Sequence, residues 1–150
     1  MKLQISTDYA IRILLYLHAN GGHKGELQTA TDVSTATDIS YPFYVKIANQ
    51  LKKHGLLESI QGRNGGYTLG RPAEEISIYD VFQAIEGELQ IRTCFKEAHG
   101  CTRGDSNSCK LRAFLGKLQE DLIAEMSGKS IADLMGSRFE FTTDTAAHAS

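Results

Sequence analysis

The sequence predicts a mainly α-helical fold carrying one small β-wing, on three observations. Apolar residues recur at helical spacing in separate runs, among them Thr7 to Leu17 and Tyr44 to Leu51. Two short β-prone runs, Leu56 to Ile60 and Tyr67 to Leu69, flank the glycine-rich Gln61-Gly62-Arg63-Asn64-Gly65-Gly66, as a hairpin requires. Leu111, Leu115, Leu118 and Leu122, with Phe114 and Met126 beside them, mark a long helix over Lys110 to Met126.

The elements follow in order. Ala10, Ile11, Leu14 and Leu15 form the apolar face of a first helix, with Ser6 or Thr7 available to cap it. Asn20-Gly21-Gly22-His23-Lys24-Gly25 interrupts the pattern as a loop, and a short helix is expected from about Gln28 to Ala36. Thr37-Asp38 makes a tight connection to a third helix, which starts near Ser40 or Tyr41 with Pro42 in its first turn and stops at Gly55. Two short helices joined by a tight turn and followed by a β-wing make a winged helix-turn-helix. Arg71-Pro72 closes that unit. A connecting helix is expected over Ser77 to Glu86, and no periodicity remains from Phe139 onward. The expected division is therefore 1–72 for the winged unit, 73–109 for the connecting helix and cysteine loop, 110–136 for the long helix and a C-terminal helix, and 137–150 for a tail. The leucine stripe over Lys110 to Met126 suits either a partner helix or packing within the chain.

Composition bounds the function. At 41% hydrophobic and 23% charged residues with two prolines, the chain is of ordinary globular composition. No apolar run approaches the roughly 20 residues of a membrane span, and Met1-Lys2-Leu3-Gln4 does not open a secretory signal, so a cytoplasmic location is expected. The formal charge of −2 is unevenly spread. Residues 1–72 hold eight Lys and Arg against five Asp and Glu, a net of +3, whereas residues 73–150 hold eight against thirteen, a net of −5. The basic half can face phosphate. No nucleophile-base pair, phosphate loop or acid-base set is visible, and no helix-forming run follows Gly62-x-x-Gly65-Gly66, so an enzyme is not expected.

A helix-turn-helix reads the major groove with the outward face of its second helix. With Tyr44, Ile47, Ala48 and Leu51 facing inward, the outward set is Ser40, Tyr41, Pro42, Val45, Lys46 and Asn49. Lys46 and Asn49 can donate to base edges or phosphates, while Tyr41 and Pro42 can meet thymine methyls or sugar. Arg63 and Asn64 at the wing tip can enter the adjacent minor groove.

All three cysteines, Cys94, Cys101 and Cys109, fall within one sixteen-residue stretch. Their spacing lacks the short Cys-x-x-Cys pairs of structural zinc sites. Three thiolates suit one face of an iron-sulfur cube and leave one iron needing another ligand. Zinc and unliganded, redox-active thiols remain the alternatives.

Ser6-Thr7-Asp8-Tyr9-Ala10-Ile11-Arg12, Ile39-Ser40 with Lys46-Ile47 and Leu51, the Gly62-Arg63-Asn64-Gly65-Gly66-Tyr67-Thr68-Leu69 wing, and Cys109-Lys110-Leu111 before a long helix together resemble the Rrf2 family of bacterial regulators. The resemblance runs in order over about residues 2 to 135. It implies a homodimer in which the long helix crosses to the partner, a pseudo-palindromic promoter site in double-stranded DNA, and an iron-sulfur cluster, 4Fe-4S or alternatively 2Fe-2S. Many relatives carry Arg where this chain has Gln61, so the resemblance does not extend to the phosphate or groove contact expected of that Arg.

The fourth ligand separates branches of the family. In one branch a His stands three residues after the last Cys; here that position is Arg112, which as a cation cannot coordinate. The nitric-oxide-sensing repressors of the family, which this sequence resembles more, use an Asp at the start of the first helix, contributed by the other subunit. Asp8 stands at that position. On its own it is also a first-turn carboxylate favoured by the helix dipole, and His99, a water or a small thiol are alternative ligands. The resemblance thus implies a repressor with nitric oxide as effector. The alternatives are a same-fold sensor of cluster status, iron or redox, and a zinc- or cluster-binding protein without DNA binding.

Overall fold

The computed structural model describes residues 2–91 and 109–135. Six helices and one hairpin are found there: α1 (Ile5–Ala19), α2 (Ala30–Thr37), α3 (Tyr41–Lys53), β1 (Leu57–Ile60), β2 (Gly66–Leu69), α4 (Ile78–Glu86), α5 (Lys110–Ser127) and α6 (Ile131–Leu134), with a 3-10 turn at Ala73–Glu75. A mainly helical fold with a two-stranded wing is thus the observed class. Cys94, His99, Cys101 and the tail from Phe139 lie outside the described residues.

α1 is the central post of the core. Ala10, Ile13, Leu14, Leu15 and Leu17 are buried, together with Val33 of α2 and Tyr44, Ile47, Ala48 and Leu51 of α3. Burying these side chains, at roughly 25 cal/mol per Å² of apolar surface, is the main force holding α1, α2 and α3 together. The turn between α2 and α3 is made by Asp38 in the left-handed conformation (φ 56°), which a short polar residue tolerates better than a branched one. Ser40 then precedes α3, and Pro42 sits in the first turn, where its missing N–H costs nothing.

The wing is anchored to the loop before α2. Strands β1 and β2 pair antiparallel, with Leu57 opposite Leu69 and Ile60 opposite Gly66. On the other side of β2, the Gln28 N–H donates to the Tyr67 carbonyl at 2.9 Å and the Tyr67 N–H returns to the Gln28 carbonyl at 2.7 Å. Gly66 is required there: its φ is 155°, and a Cβ would stand 2.7 Å from the Gln28 carbonyl oxygen. The tie explains why α2 begins at Ala30 with Thr29 as its cap, two residues after the expected Gln28, whose backbone is committed to the wing.

α1 also departs from the sequence expectation at its start. It begins at Ile5, and neither Ser6 nor Thr7 caps it. Thr7 is buried, and its hydroxyl donates to Glu86 Oε2 at the far end of α4.

After α5, the chain is stitched back to the winged unit. Ser77 and Asp80 form a capping box at the start of α4, and Ser130 and Asp133 form another at the start of α6. The two starts lie side by side: Ile78 N–H donates to the Lys129 carbonyl and Ile131 N–H to the Ile76 carbonyl, each at 2.8 Å. Ile131 is fully buried there. Among the described residues, no helix is long and apolar enough to cross a membrane.

Candidate nucleic-acid interface and ligand-bearing residues

The inward set on α3 is buried, which turns the opposite face outward. Ser40, Tyr41, Pro42, Lys46 and Asn49 are exposed and Val45 is half-buried. Tyr41 is 54% exposed. Phe43 leaves this face and packs edge-on against Tyr9 of α1, with ring centroids 5.6 Å apart. Arg63 and Asn64 are exposed at the tip of the hairpin. Tyr44 beneath α3 meets Tyr67 of β2 edge-on at 5.4 Å, so the reading helix and the wing share one aromatic contact. Lys52 adds a second, donating to Ser59 Oγ of β1 at 2.7 Å. Sequence periodicity does not point to either link.

Asp8 lies exposed in the first turn of α1, where the positive end of the helix dipole favours a carboxylate. Its Oδ2 binds Arg12 Nη2 at 2.8 Å, one turn on. The Arg12 guanidinium carbon stands 5.5 Å over the ring of Tyr9, the residue that meets Phe43. Cys109 is a free, half-buried thiol immediately before α5. Among the described residues, no three His, Cys, Asp or Glu side chains converge as a metal site. The donor set of soft thiolates plus one accessible carboxylate fits an iron-sulfur centre with one hard ligand.

α5 is covered only in part: it packs against α4, and its remaining apolar side chains face outward. None of its residues is fully buried in the single chain, and Leu111, Phe114 and Leu118 are 41%, 66% and 41% exposed.

The sequence model of one family, described as Rrf2, iron-dependent transcriptional regulator, matches residues 3–137. The chain belongs to the Rrf2 family. Curated relatives are similar over most of their length. Protein aau3 of Rhizobium meliloti (strain 1021) is 36% identical over 139 residues, 92% of this chain and 87% of the relative. The HTH-type transcriptional regulator NsrR of Shouchella clausii is 34% identical over 136 residues, 90% of this chain and 89% of the relative. Among solved structures, CymR, the global cysteine regulator of B. subtilis, superimposes with TM-score 0.67 at 18% identity, covering 89% of this chain and 95% of that one. IscR of T. potens gives 0.65 at 19% identity, covering 89% and 85%. These structures share the winged-helix fold, and the Rrf2 assignment makes this chain a transcriptional regulator.

Proposed function

We propose that this Rrf2 regulator is a nitric-oxide-responsive repressor that binds a pseudo-palindromic promoter site as a homodimer. In this reading Ser40, Tyr41, Pro42, Val45, Lys46 and Asn49 meet the major groove, and Arg63 and Asn64 the minor groove. The exposed apolar stripe of α5 pairs with α5 of a second copy. Cys94, Cys101 and Cys109 hold an iron-sulfur cluster, with Asp8 of the partner subunit as the fourth ligand. The cluster, when bound, supplies the iron chemistry to which nitric oxide is reactive.

The observation that carries the reading is the position of Asp8. It is solvent-accessible on α1, and the same turn of α1 holds Tyr9 against Phe43 of the reading helix. A change in what Asp8 binds therefore reaches α3 through two packed rings. A carboxylate is a hard ligand among soft thiolates and should be the most exchangeable of the four.

The relatives named NsrR support this reading. The description of the family as iron-dependent favours a second one, in which iron supply is the signal. One experiment separates them. Anaerobically purified protein is examined by absorption spectrum, iron and sulfide counts and gel shift, before and after a nitric-oxide donor or an iron chelator. Loss of DNA binding with the donor, and retention of it with the chelator, supports nitric oxide. Response to the chelator alone supports iron supply, and a colourless zinc protein removes both.

A further inference from the structure

α1 carries no cap of its own. Gln4, at the N-cap position, makes no side-chain cap bond, and its carbonyl takes the Thr7 and Asp8 N–H groups, which leaves its own N–H to find a partner outside the helix. Glu86, the last residue of α4, is that partner, in the way the N3 carboxylate of a capping box takes the N-cap N–H. Its Oε2 accepts the Thr7 hydroxyl and lies 3.4 Å from the Gln4 N–H, across about 80 residues of sequence. A carboxylate in this place also complements the positive end of the α1 dipole.

The two residues next to this contact give it a consequence. Asp8 directly follows Thr7. Gly87 directly follows Glu86, and with φ at 83° it turns the chain out of α4 toward the segment that holds Cys94 and Cys101. Leu89, just beyond, is buried, so the first residues of that segment are fixed to the core.

We propose that Glu86 is a positioning residue that caps α1 from α4 and thereby fixes the Asp8 turn against the root of the cysteine segment of the same chain. Its effect on sensing rests on the reading given under Proposed function; the cap itself does not. Glu86→Gln keeps an oxygen that can accept both bonds, whereas Glu86→Ala keeps none.

Two measurements on the full chain test this. The first is amide hydrogen exchange at residues 4–8 in cluster-free protein. Glu86→Ala is expected to speed it about five- to tenfold, the size of a lost N-cap, with Glu86→Gln near wild type. The second is the ratio of affinities for a duplex selected from a random pool by the wild-type protein, measured before and after a nitric-oxide donor. Glu86→Ala is expected to cut that ratio severalfold while iron and sulfide counts stay at the wild-type level. Unchanged exchange in Glu86→Ala overturns the proposal. So does loss of iron with unchanged exchange, which makes Glu86 a ligand. If wild-type protein takes up no cluster, the sensing reading fails and exchange alone decides whether Glu86 caps α1.

Discussion

Arg12 occupies the Asp8 carboxylate at 2.8 Å while its guanidinium lies over the ring of Tyr9, so the carboxylate that the proposed function assigns to iron already has a cation on it. Both side chains are about half exposed, and such pairs contribute roughly 0.2–1 kcal/mol. The competition is therefore mild. Arg12→Ala is expected to slow iron loss to a chelator by about two- to fivefold, followed by decay of the cluster absorption. Faster loss would show that Arg12 supports the ligand rather than competing for it.

Cys109 stands at the junction of the cysteine segment and α5. Cys109→Ala is expected to give colourless protein with iron and sulfide near zero, and its DNA affinity should be indifferent to a nitric-oxide donor. Wild-type iron content in this variant would remove Cys109 from the ligand set.

The α5 stripe gives a prediction about assembly. Phe114 is the most exposed large apolar side chain among the described residues, and Phe114→Glu places a charge in the middle of the proposed dimer contact. Sedimentation velocity should show a shift from dimer to monomer at micromolar concentration. Affinity for a two-half-site duplex should fall at least tenfold, because the second half-site no longer gains from the tether.

Tyr44 is fully buried, and among the described residues its hydroxyl has no hydrogen-bond partner; burial pushes the phenol far above its ordinary ionisation range. Leaving a buried hydroxyl unpaired costs on the order of 1–3 kcal/mol. Tyr44→Phe removes that cost and keeps the edge-on contact with Tyr67. A rise of roughly 2–4 °C in the thermal midpoint is expected for a chain of this size, read by circular dichroism.

The capping box of α6 gives a pH dependence. The backbone and hydroxyl hydrogen bonds from Ser130 hold the Asp133 carboxyl below its ordinary value. A lowered folded-state value means that the stabilisation is complete above the ordinary carboxylate range and is lost as pH falls through the lowered value. The gap in thermal midpoint between wild type and Asp133→Ala should thus be present at neutral pH and close in acid. A gap that persists in acid would assign the effect to packing.

How much of this could be read from the sequence depends on whether the cause is local. The inward face of α3 was legible because four apolar residues at helical spacing leave one choice of face, and Tyr44, Ile47, Ala48 and Leu51 are all buried. The hairpin was legible because Gly62 and Gly66 permit backbone angles that other residues resist. The start of α1 was not. Ser6 and Thr7 look like caps locally, but Thr7 gives its hydroxyl to Glu86, and nothing in a linear pattern pairs residues 7 and 86. The start of α2 was misplaced for the same reason, since Gln28 is claimed by Tyr67. At the candidate site, Asp8 was found by position, whereas its ion pair with Arg12 and the ring contact from Tyr9 to Phe43 needed the fold.

The stitch between the starts of α4 and α6 has a mechanical consequence. It clamps the chain at the distal end of α5, whose 18 residues span about 27 Å back to Cys109. The helix is held there and again near its middle, where Gln119 Oε1 accepts the Ile91 N–H at 3.0 Å. Among the described residues, only the turns of α5 between Cys109 and Gln119 are thus left to pivot, about a tie that lies five residues past Glu86, the end of α4.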